Sequence, residues 1–188
     1  DPVWQEVKAA GYFKYRDTDG NGVINEADKT YLGSPIPWLI GGLDFGLVWK
    51  GLDFSLTLQG QVGNKVLNAK RMNRDVFTDG NYDLNFYQNA WRPSRLSDTY
   101  PSAAAYNSAF IQQANSFFVE DASYFRIQNV QLGYTFSNLK GISSLRVSLT
   151  AQRPFTYFRY NGFTPEVSGS PIASGIDTST YPLQSTYT

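Results

Sequence analysis

Two neighbouring stretches of the chain alternate strictly between apolar and polar residues. In LDFSLTLQGQVG (residues 52–63), leucine or phenylalanine occupies every second position from Leu52 to Leu58, and polar residues lie between them. Residues 39–49 show the same alternation through Leu43, Phe45, Leu47 and Trp49, and Lys50-Gly51 separates the two runs. Period-two alternation places one face of a β-strand against an apolar environment and the other against water. The pattern therefore predicts a β-hairpin over residues 39–63.

The length of these runs bears on their environment. Each has about ten residues, which is what a tilted strand needs to cross the hydrocarbon core of a bilayer. Strands of soluble proteins are usually about five or six residues long. Two interpretations remain open at this point, a hairpin of an outer-membrane β-barrel and a hairpin of a soluble β-sandwich.

A second pair of strands is predicted over residues 118–153, where the apolar positions change parity near Asn129 and indicate a bulge. Long connections (17–38, 64–117, 153–188) then alternate with short ones (50–51, 137–142). Outer-membrane barrels place long loops outside and tight turns on the periplasmic side. About four strands cannot close a barrel, which needs at least about eight. We therefore expect the chain to be part of a larger barrel.

Composition excludes several classes of function. The 188 residues carry 16 basic and 16 acidic side chains and include neither Cys nor His. This balance lacks the positive charge of a nucleic-acid binder. Thiolate and imidazole chemistry is unavailable, so an enzyme would have to rely on carboxylates, and the adjacent Glu120 and Asp121 lie on opposite faces of a strand. We therefore expect no enzyme. No apolar run approaches the roughly 20 residues of a transmembrane helix. The chain starts with Asp1 and shows no leader, so we expect a mature or cut product.

Residues 17–28, DTDGNGVINEAD, match the spacing of a calcium-binding loop. Side-chain oxygens at the first, third, fifth and ninth positions, a backbone carbonyl at the seventh and a carboxylate at the twelfth would hold a structural Ca²⁺, or else Mg²⁺. The predicted ligands are Asp17, Asp19, Asn21, Val23, Asn25 and Asp28. The alternative is a turn rich in Asp, Asn and Gly that hydrogen-bonds its own backbone.

Residues 64–117 are predicted to form a long irregular loop with exposed aromatic and polar groups. A loop of this length is usually functional or disordered. Candidate substrate-binding residues are Tyr82, Tyr87, Trp91 and Arg92. These groups could stack on and hydrogen-bond to a ligand. The alternative is that the aromatic residues pack the loop against itself.

Four segments together resemble the C-terminal part of SusC/RagA-type TonB-dependent outer-membrane transporters. They are GYFKYRDTDGNGVINEADKTYLG (11–33), FVEDASYFRIQNVQLGY (118–134), FTYFRYNGFTPE (155–166) and YPLQSTYT (181–188). They follow the order of the family and cover most of the chain. The sequence QRP at 152–154 departs from the pattern usual in the family.

This resemblance implies an all-β fold, an antiparallel transmembrane β-barrel of about 22 strands filled by a plug, of which this chain is a C-terminal segment. Residues 154–188 would be an extracellular loop leading to a last strand that is missing here. It implies import of oligosaccharides or peptides across the outer membrane of Bacteroidetes-type bacteria. The implied partners are a SusD-like surface lipoprotein as lid, TonB contacting the plug, and outer-membrane lipid.

Two other functions remain as alternatives. A soluble calcium-stapled β-module could bind carbohydrate through Trp91 and tyrosine side chains, and a passive porin would also explain the strand pattern. The location of the apolar side chains separates the first alternative from the transporter. Exposure of Phe45, Phe54 and Leu56 on an outward apolar belt favours the transporter, and their burial against a second sheet favours the soluble module.

Overall fold

A computed structural model describes residues 9–74, 83–106, 114–167, 174–178 and 180–188. The chain divides into two compact units. The first comprises Asp1–Gly33 and Leu67–Val119, and the second comprises Ser34–Val66 and Glu120–Thr188.

The second unit is built on a five-stranded antiparallel sheet with the strand order β1-β2-β5-β6-β7. Its strands are β1 (Leu39–Trp49), β2 (Leu52–Val62), β5 (Tyr124–Leu139), β6 (Ile142–Phe158) and β7 (Thr186–Tyr187). Two short strands, β3 (Lys65–Leu67) and β4 (Val119–Asp121), form a separate two-stranded sheet. The all-β antiparallel fold predicted from the period-two alternation is confirmed.

The first hairpin lies where the alternation predicts it. β1 and β2 each have 11 residues, and Trp49 pairs with Leu52 across the turn. Lys50 and Gly51 have φ of 47° and 85°. Positive φ at both central residues defines the tight turn whose twist matches that of antiparallel strands. Glycine adopts this conformation without the steric penalty of a Cβ atom.

The second hairpin is longer than predicted. β5 has 16 residues and β6 has 17, and only Lys140-Gly141 connects them. The predicted turn over 137–142 is therefore too long. The prediction that residues 154–188 are loop is wrong at two places, because β6 continues to Phe158 and Thr186–Tyr187 form β7. The continuation of β6 through Arg153-Pro154 was not predicted, because proline normally interrupts a strand.

The predicted irregularity near Asn129 is present. The register of β5 against β2 shifts between Ile127 and Asn129, which leaves Gln128 as an extra residue. The pairing of β5 with β6 shifts at the same place, beside Arg153 with its φ of 51°. Because a bulge of this kind shifts the register by one residue, the side chains that follow it point to the opposite face of the sheet.

The first unit contains three short helices in the segment predicted to be irregular: α1 (Ala69–Arg74), α2 (Leu84–Asn89) and α3 (Ala103–Tyr106). Its core comprises Phe86, Ala90, Ala105 and Phe118, against which Tyr12, Phe13, Tyr100 and Phe117 pack. Among the described residues, no helix is long and apolar enough to cross a membrane. Several aromatic residues of the long segment therefore pack the segment against itself, as the alternative interpretation proposed.

Candidate functional site

One face of the large sheet is apolar across four strands. In the observed register Phe45 lies beside Leu56, which lies beside Val130, and Leu132 lies beside Leu149. Phe45 is 50% exposed, Leu43 61% and Leu149 65%. Phe54 and Leu56 are half-buried, and the rings of Phe45 and Phe54 are 6.2 Å apart.

This apolar face carries many exposed large side chains. Other large side chains of the same strands are also exposed, namely Leu47, Trp49, Tyr134, Phe136, Leu145 and Val147. Contiguous apolar patches on soluble monomers rarely exceed a few hundred Å². An open apolar face of this kind is what a lipid-facing barrel wall requires. A β-sandwich would bury it against a second sheet.

The opposite face of the same strands is polar. The Thr57 hydroxyl donates a hydrogen bond to Asp44 Oδ1 at 2.7 Å. Arg146 Nη2 lies 2.6 Å from Asp53 Oδ2, and its Nε donates to Oδ1 at 3.2 Å. A Cβ atom on Gly133 would lie 2.6 Å from the Asp53 oxygens, so this ion pair crosses the strand directly above that glycine. Polar ladders on this face suit the aqueous interior of a barrel.

The loop at 17–28 is closed by hydrogen bonds from backbone N–H groups to its own carboxylates. Asp17 accepts from Gly20 and Gly22, each at 2.7 Å. Asp28 accepts from Thr18 at 2.7 Å and from Asn25 at 2.8 Å. The hydrogen bond from Gly22 is the main cause that lowers the pKa of Asp17, and the one from Asn25 is the main cause for Asp28. Both carboxylates are therefore ionised at neutral pH.

Three of the six predicted metal ligands come together in this loop. Asp17, Asp19 and Asp28 each offer an oxygen, and these atoms lie within 4.8 Å of one another. Calcium holds oxygens at about 2.3–2.6 Å, so ligands on opposite sides of the ion are roughly 5 Å apart, against about 4 Å for magnesium. Three oxygens this close together can share one divalent cation of either kind.

Two further predicted ligands, Asn21 and Asn25, accept hydrogen bonds from the loop backbone. Asn21 Oδ1 accepts the N–H of Val23 at 2.7 Å, and Asn25 Oδ1 accepts the N–H of Ala27 at 2.8 Å. These are the self-contained turns of the alternative interpretation. The same side chain of Asn25 caps the short 3₁₀ helix Glu26–Asp28.

Two of the predicted substrate-binding residues lie together. The Arg92 guanidinium is 4.9 Å from the centre of the Tyr87 ring, and Arg92 Nη2 donates to the Tyr87 carbonyl at 3.2 Å. Trp91 is half-buried beside Gly11, where a Cβ atom would lie 2.7 Å from its ring. Tyr82 lies outside the described residues. The structure thus leaves Tyr87 and Arg92 on an exposed surface and packs Trp91.

A polar cluster in the second unit was not predicted. The buried Arg126 forms a two-pronged ion pair with Glu166, with Nη2 donating to Oε1 at 3.0 Å and Nη1 to Oε2. The Tyr124 hydroxyl donates to Glu166 Oε1 at 2.9 Å, and Arg126 also donates to Gln59 at 3.3 Å. Arg126 and Glu166 lie in two of the aromatic signature segments, 118–134 and 155–166, but their separation along the chain concealed the pairing.

Comparison with known proteins identifies relatives of one kind, although no family model matches the chain. It is 32% identical over 196 residues to a TonB-dependent receptor of Formosa agariphila, covering 98% of this chain and 20% of that receptor. It is 33% identical over 181 residues to the TonB-dependent receptor SusC of Bacteroides thetaiotaomicron, covering 91% of this chain and 16% of that receptor.

Solved structures agree with these relatives. The RagAB peptide importer in its closed-closed state matches 91% of this chain and 19% of its own, with a TM-score of 0.67 and 25% identity. A second RagAB peptide transporter structure matches 82% of this chain and 17% of its own, with a TM-score of 0.63 and 27% identity. The chain belongs to the SusC/RagA-type TonB-dependent transporters.

As a SusC/RagA-type chain, the protein spans only about a fifth or less of the relatives it matches. Its two-faced sheet corresponds to part of a larger barrel wall, which confirms the predicted fold class. In such a barrel wall the apolar face of β1, β2, β5 and β6 would be the lipid side, and the face that carries Asp53 and Arg146 would be the interior side.

Proposed function

We propose that this chain forms part of the wall and rim of a TonB-dependent transporter that imports large nutrients across the outer membrane of Bacteroidetes-type bacteria. The observation that carries the proposal is the sheet with one open apolar face and one polar face. Tight turns at 50–51 and 140–141 alternate with long connections, and outer-membrane barrels have their long connections on the extracellular side. The proposed role is transport without catalysis.

We propose oligosaccharides as the nutrient class and peptides as the second class, with a SusD-like surface lipoprotein as lid and TonB acting through a plug. The names of the relatives support TonB dependence, and the RagAB importers support peptides. In this proposal the exposed ring of Tyr87 and the guanidinium of Arg92 bind substrate at the rim. Trp91 would support that surface from beneath.

Uptake by cells that carry the full-length protein tests this function. Cells with the gene deleted and cells complemented with it would be given labelled oligosaccharides and peptides, with and without collapse of the proton-motive force. We expect complementation to restore uptake of one of the two classes and the collapse to abolish it. Uptake that persists without membrane energy would instead indicate a passive porin.

Fractionation of the same cells provides the control for location. We expect the protein in the outer membrane, released only by detergent, together with a surface lipoprotein on purification. Recovery of the full-length protein in a detergent-free soluble fraction would contradict the proposal and favour a soluble carbohydrate-binding module.

We further propose that the loop at 17–28 binds a structural Ca²⁺ through Asp17, Asp19 and Asp28. The proximity of the three carboxylates supports this proposal. An ion that binds the folded state alone raises stability in proportion to the logarithm of its concentration. Its role would be to staple the loop.

Terbium luminescence tests the metal site, because terbium can replace calcium and tyrosine can sensitise it. The full-length protein and its Asp17→Asn/Asp28→Asn variant would be titrated with terbium and then with calcium. Asp44→Asn, which removes a carboxylate from the sheet, is the matched control. We expect the loop variant alone to lose calcium-displaceable luminescence, and equal titrations of all three proteins would refute the site.

A further inference from the structure

A tight turn after α2 brings two arginine residues together. Arg92 donates its backbone N–H to the Arg95 carbonyl at 2.9 Å, and Arg95 donates to the Arg92 carbonyl at 2.9 Å. Pro93 and Ser94 form the corner between them. This pairing fixes the backbone of both arginines in one narrow hairpin.

The two guanidinium groups converge on the end of α2. Arg92 Nη2 and Arg95 Nη2 both donate to the Tyr87 carbonyl, at 3.2 Å and 3.3 Å. Arg95 Nη2 also donates to the Ala90 carbonyl at 3.1 Å. Because both Nη2 atoms contact one oxygen, the guanidinium groups are neighbours. The Tyr87 ring lies next to the guanidinium group of Arg92, and the Tyr87 residue is 58% exposed.

This pair of charges has no acidic partner in the described parts of the chain. Arg126 and Arg146 form ion pairs with carboxylates, whereas neither Arg92 nor Arg95 does so among the residues that the structure describes. The partial negative charge at the end of α2 offsets only part of two positive charges. Each guanidinium has five N–H donors, and the contacts to Tyr87 and Ala90 occupy one nitrogen of each.

We propose that Arg92 and Arg95 together bind a carboxylate group of the imported ligand, with the Tyr87 ring as the platform for the atoms beside it. Guanidinium groups match the planar geometry of a carboxylate through paired hydrogen bonds. The inference rests on the proposed import function and specifies that the ligand is anionic. The carboxylate has two sources, a peptide or an acidic sugar such as a uronic acid.

Binding to the full-length protein in detergent tests the inference by calorimetry at low and physiological salt. One pair of probes is an oligogalacturonate and a neutral oligosaccharide of equal length. The other pair is one peptide with a free and with an amidated C-terminus. The wild-type protein should bind the anionic member of at least one pair about tenfold or more tightly, and the preference should shrink with salt.

Three variants identify the groups responsible. Arg92→Gln/Arg95→Gln should abolish the preference, so that this variant binds the anionic and the neutral probe of a pair with equal affinity. Arg92→Lys/Arg95→Lys keeps both positive charges but loses the paired N–H donors of the guanidinium groups, so this variant should retain only part of the preference for the anionic probe. Arg159→Gln/Lys140→Gln removes two exposed positive charges elsewhere and should behave like the wild type.

The outcomes separate this inference from the function on which it rests. A preference in one probe pair alone supports the inference and identifies the source of the carboxylate. If the wild type binds anionic and neutral probes equally, or if the glutamine variant keeps the preference, the arginines serve only to cap α2 and the inference is wrong. Complete absence of nutrient uptake by cells would instead overturn the import function.

Discussion

The destabilisation caused by an arginine substitution in β2 should depend on the face of the sheet and on the depth of the position in the bilayer. Leu56 lies on the apolar face near the middle of the strand, between Phe45 and Val130. Ser55 is its neighbour on the polar face, opposite Gly46 and Gln131. The same substitution at these two positions places a guanidinium in lipid in one case and in water in the other.

The size of the effect follows from the geometry of the strand. The 11 residues of β2, at about 3.3 Å per residue and a tilt of about 45°, span roughly 25 Å, which is the height of the apolar band of a barrel. Leu52 lies at the tight turn and Leu56 roughly 9 Å deeper. Leu56→Arg should cost about 2–4 kcal/mol and Leu52→Arg about 0–1 kcal/mol. Ser55→Arg should cost less than about 1 kcal/mol.

Urea unfolding of the full-length protein in lipid vesicles measures these costs. Heat-modifiable mobility on gels would first confirm that each variant is inserted and folded. A soluble core would not distinguish Leu52 from Leu56 by depth, since both are half-buried. Equal costs at these two positions, or a larger cost at Ser55, would refute a lipid-facing β2.

Three further predictions concern charged groups. Gly133→Ala should displace the Asp53–Arg146 pair, because the new Cβ would lie 2.6 Å from the carboxylate. The resulting loss of stability should be small and non-additive with that of Asp53→Asn in a double-mutant cycle. Glu166→Ala leaves a buried guanidinium unpaired and should cost about 3–5 kcal/mol in urea unfolding. Burial acts to raise the pKa of Asp121, but hydrogen bonds from Ser123 and Lys65 lower it overall. The stabilising contribution of Asp121 is therefore present above its unfolded pKa of about 3.9. It is lost as pH falls through the lower folded value. The melting temperature of Asp121→Asn should therefore fall less than that of the wild type between pH 5 and pH 2, and equal falls would contradict this assignment.

Local patterns predicted the first hairpin well, since its signals lie within a few residues. The alternation around Leu56 and the Lys50-Gly51 turn fixes β1 and β2 almost to the residue, because a shift by one position would turn every leucine to the wrong face. The parity change before Asn129 likewise indicated the bulge. These features depend on neighbours along one strand.

Pairings between distant segments were not predictable in the same way. Arg126 and Glu166 are 40 positions apart, and the sequence around one of them contains no signal that identifies the other as its partner. The helices of the 64–117 segment have only 4–6 residues, too short for a 3.6-residue period to be recognised. In the loop over residues 17–28 the spacing predicted that the three carboxylates lie close together, but the hydrogen bonds of Asn21 and Asn25 to the backbone depend on local geometry that spacing does not determine.

Spin-label accessibility along β2 tests most directly whether the apolar face meets lipid. Single cysteines at Phe54, Ser55, Leu56 and Thr57 of the full-length protein in vesicles would carry the label, and this chain itself contains no Cys. Oxygen, which concentrates in lipid, should relax the labels at 54 and 56, and a water-soluble nickel complex should relax those at 55 and 57. Labels at 54 and 56 that are shielded from both reagents would show these side chains sealed in a protein core and would contradict the transporter.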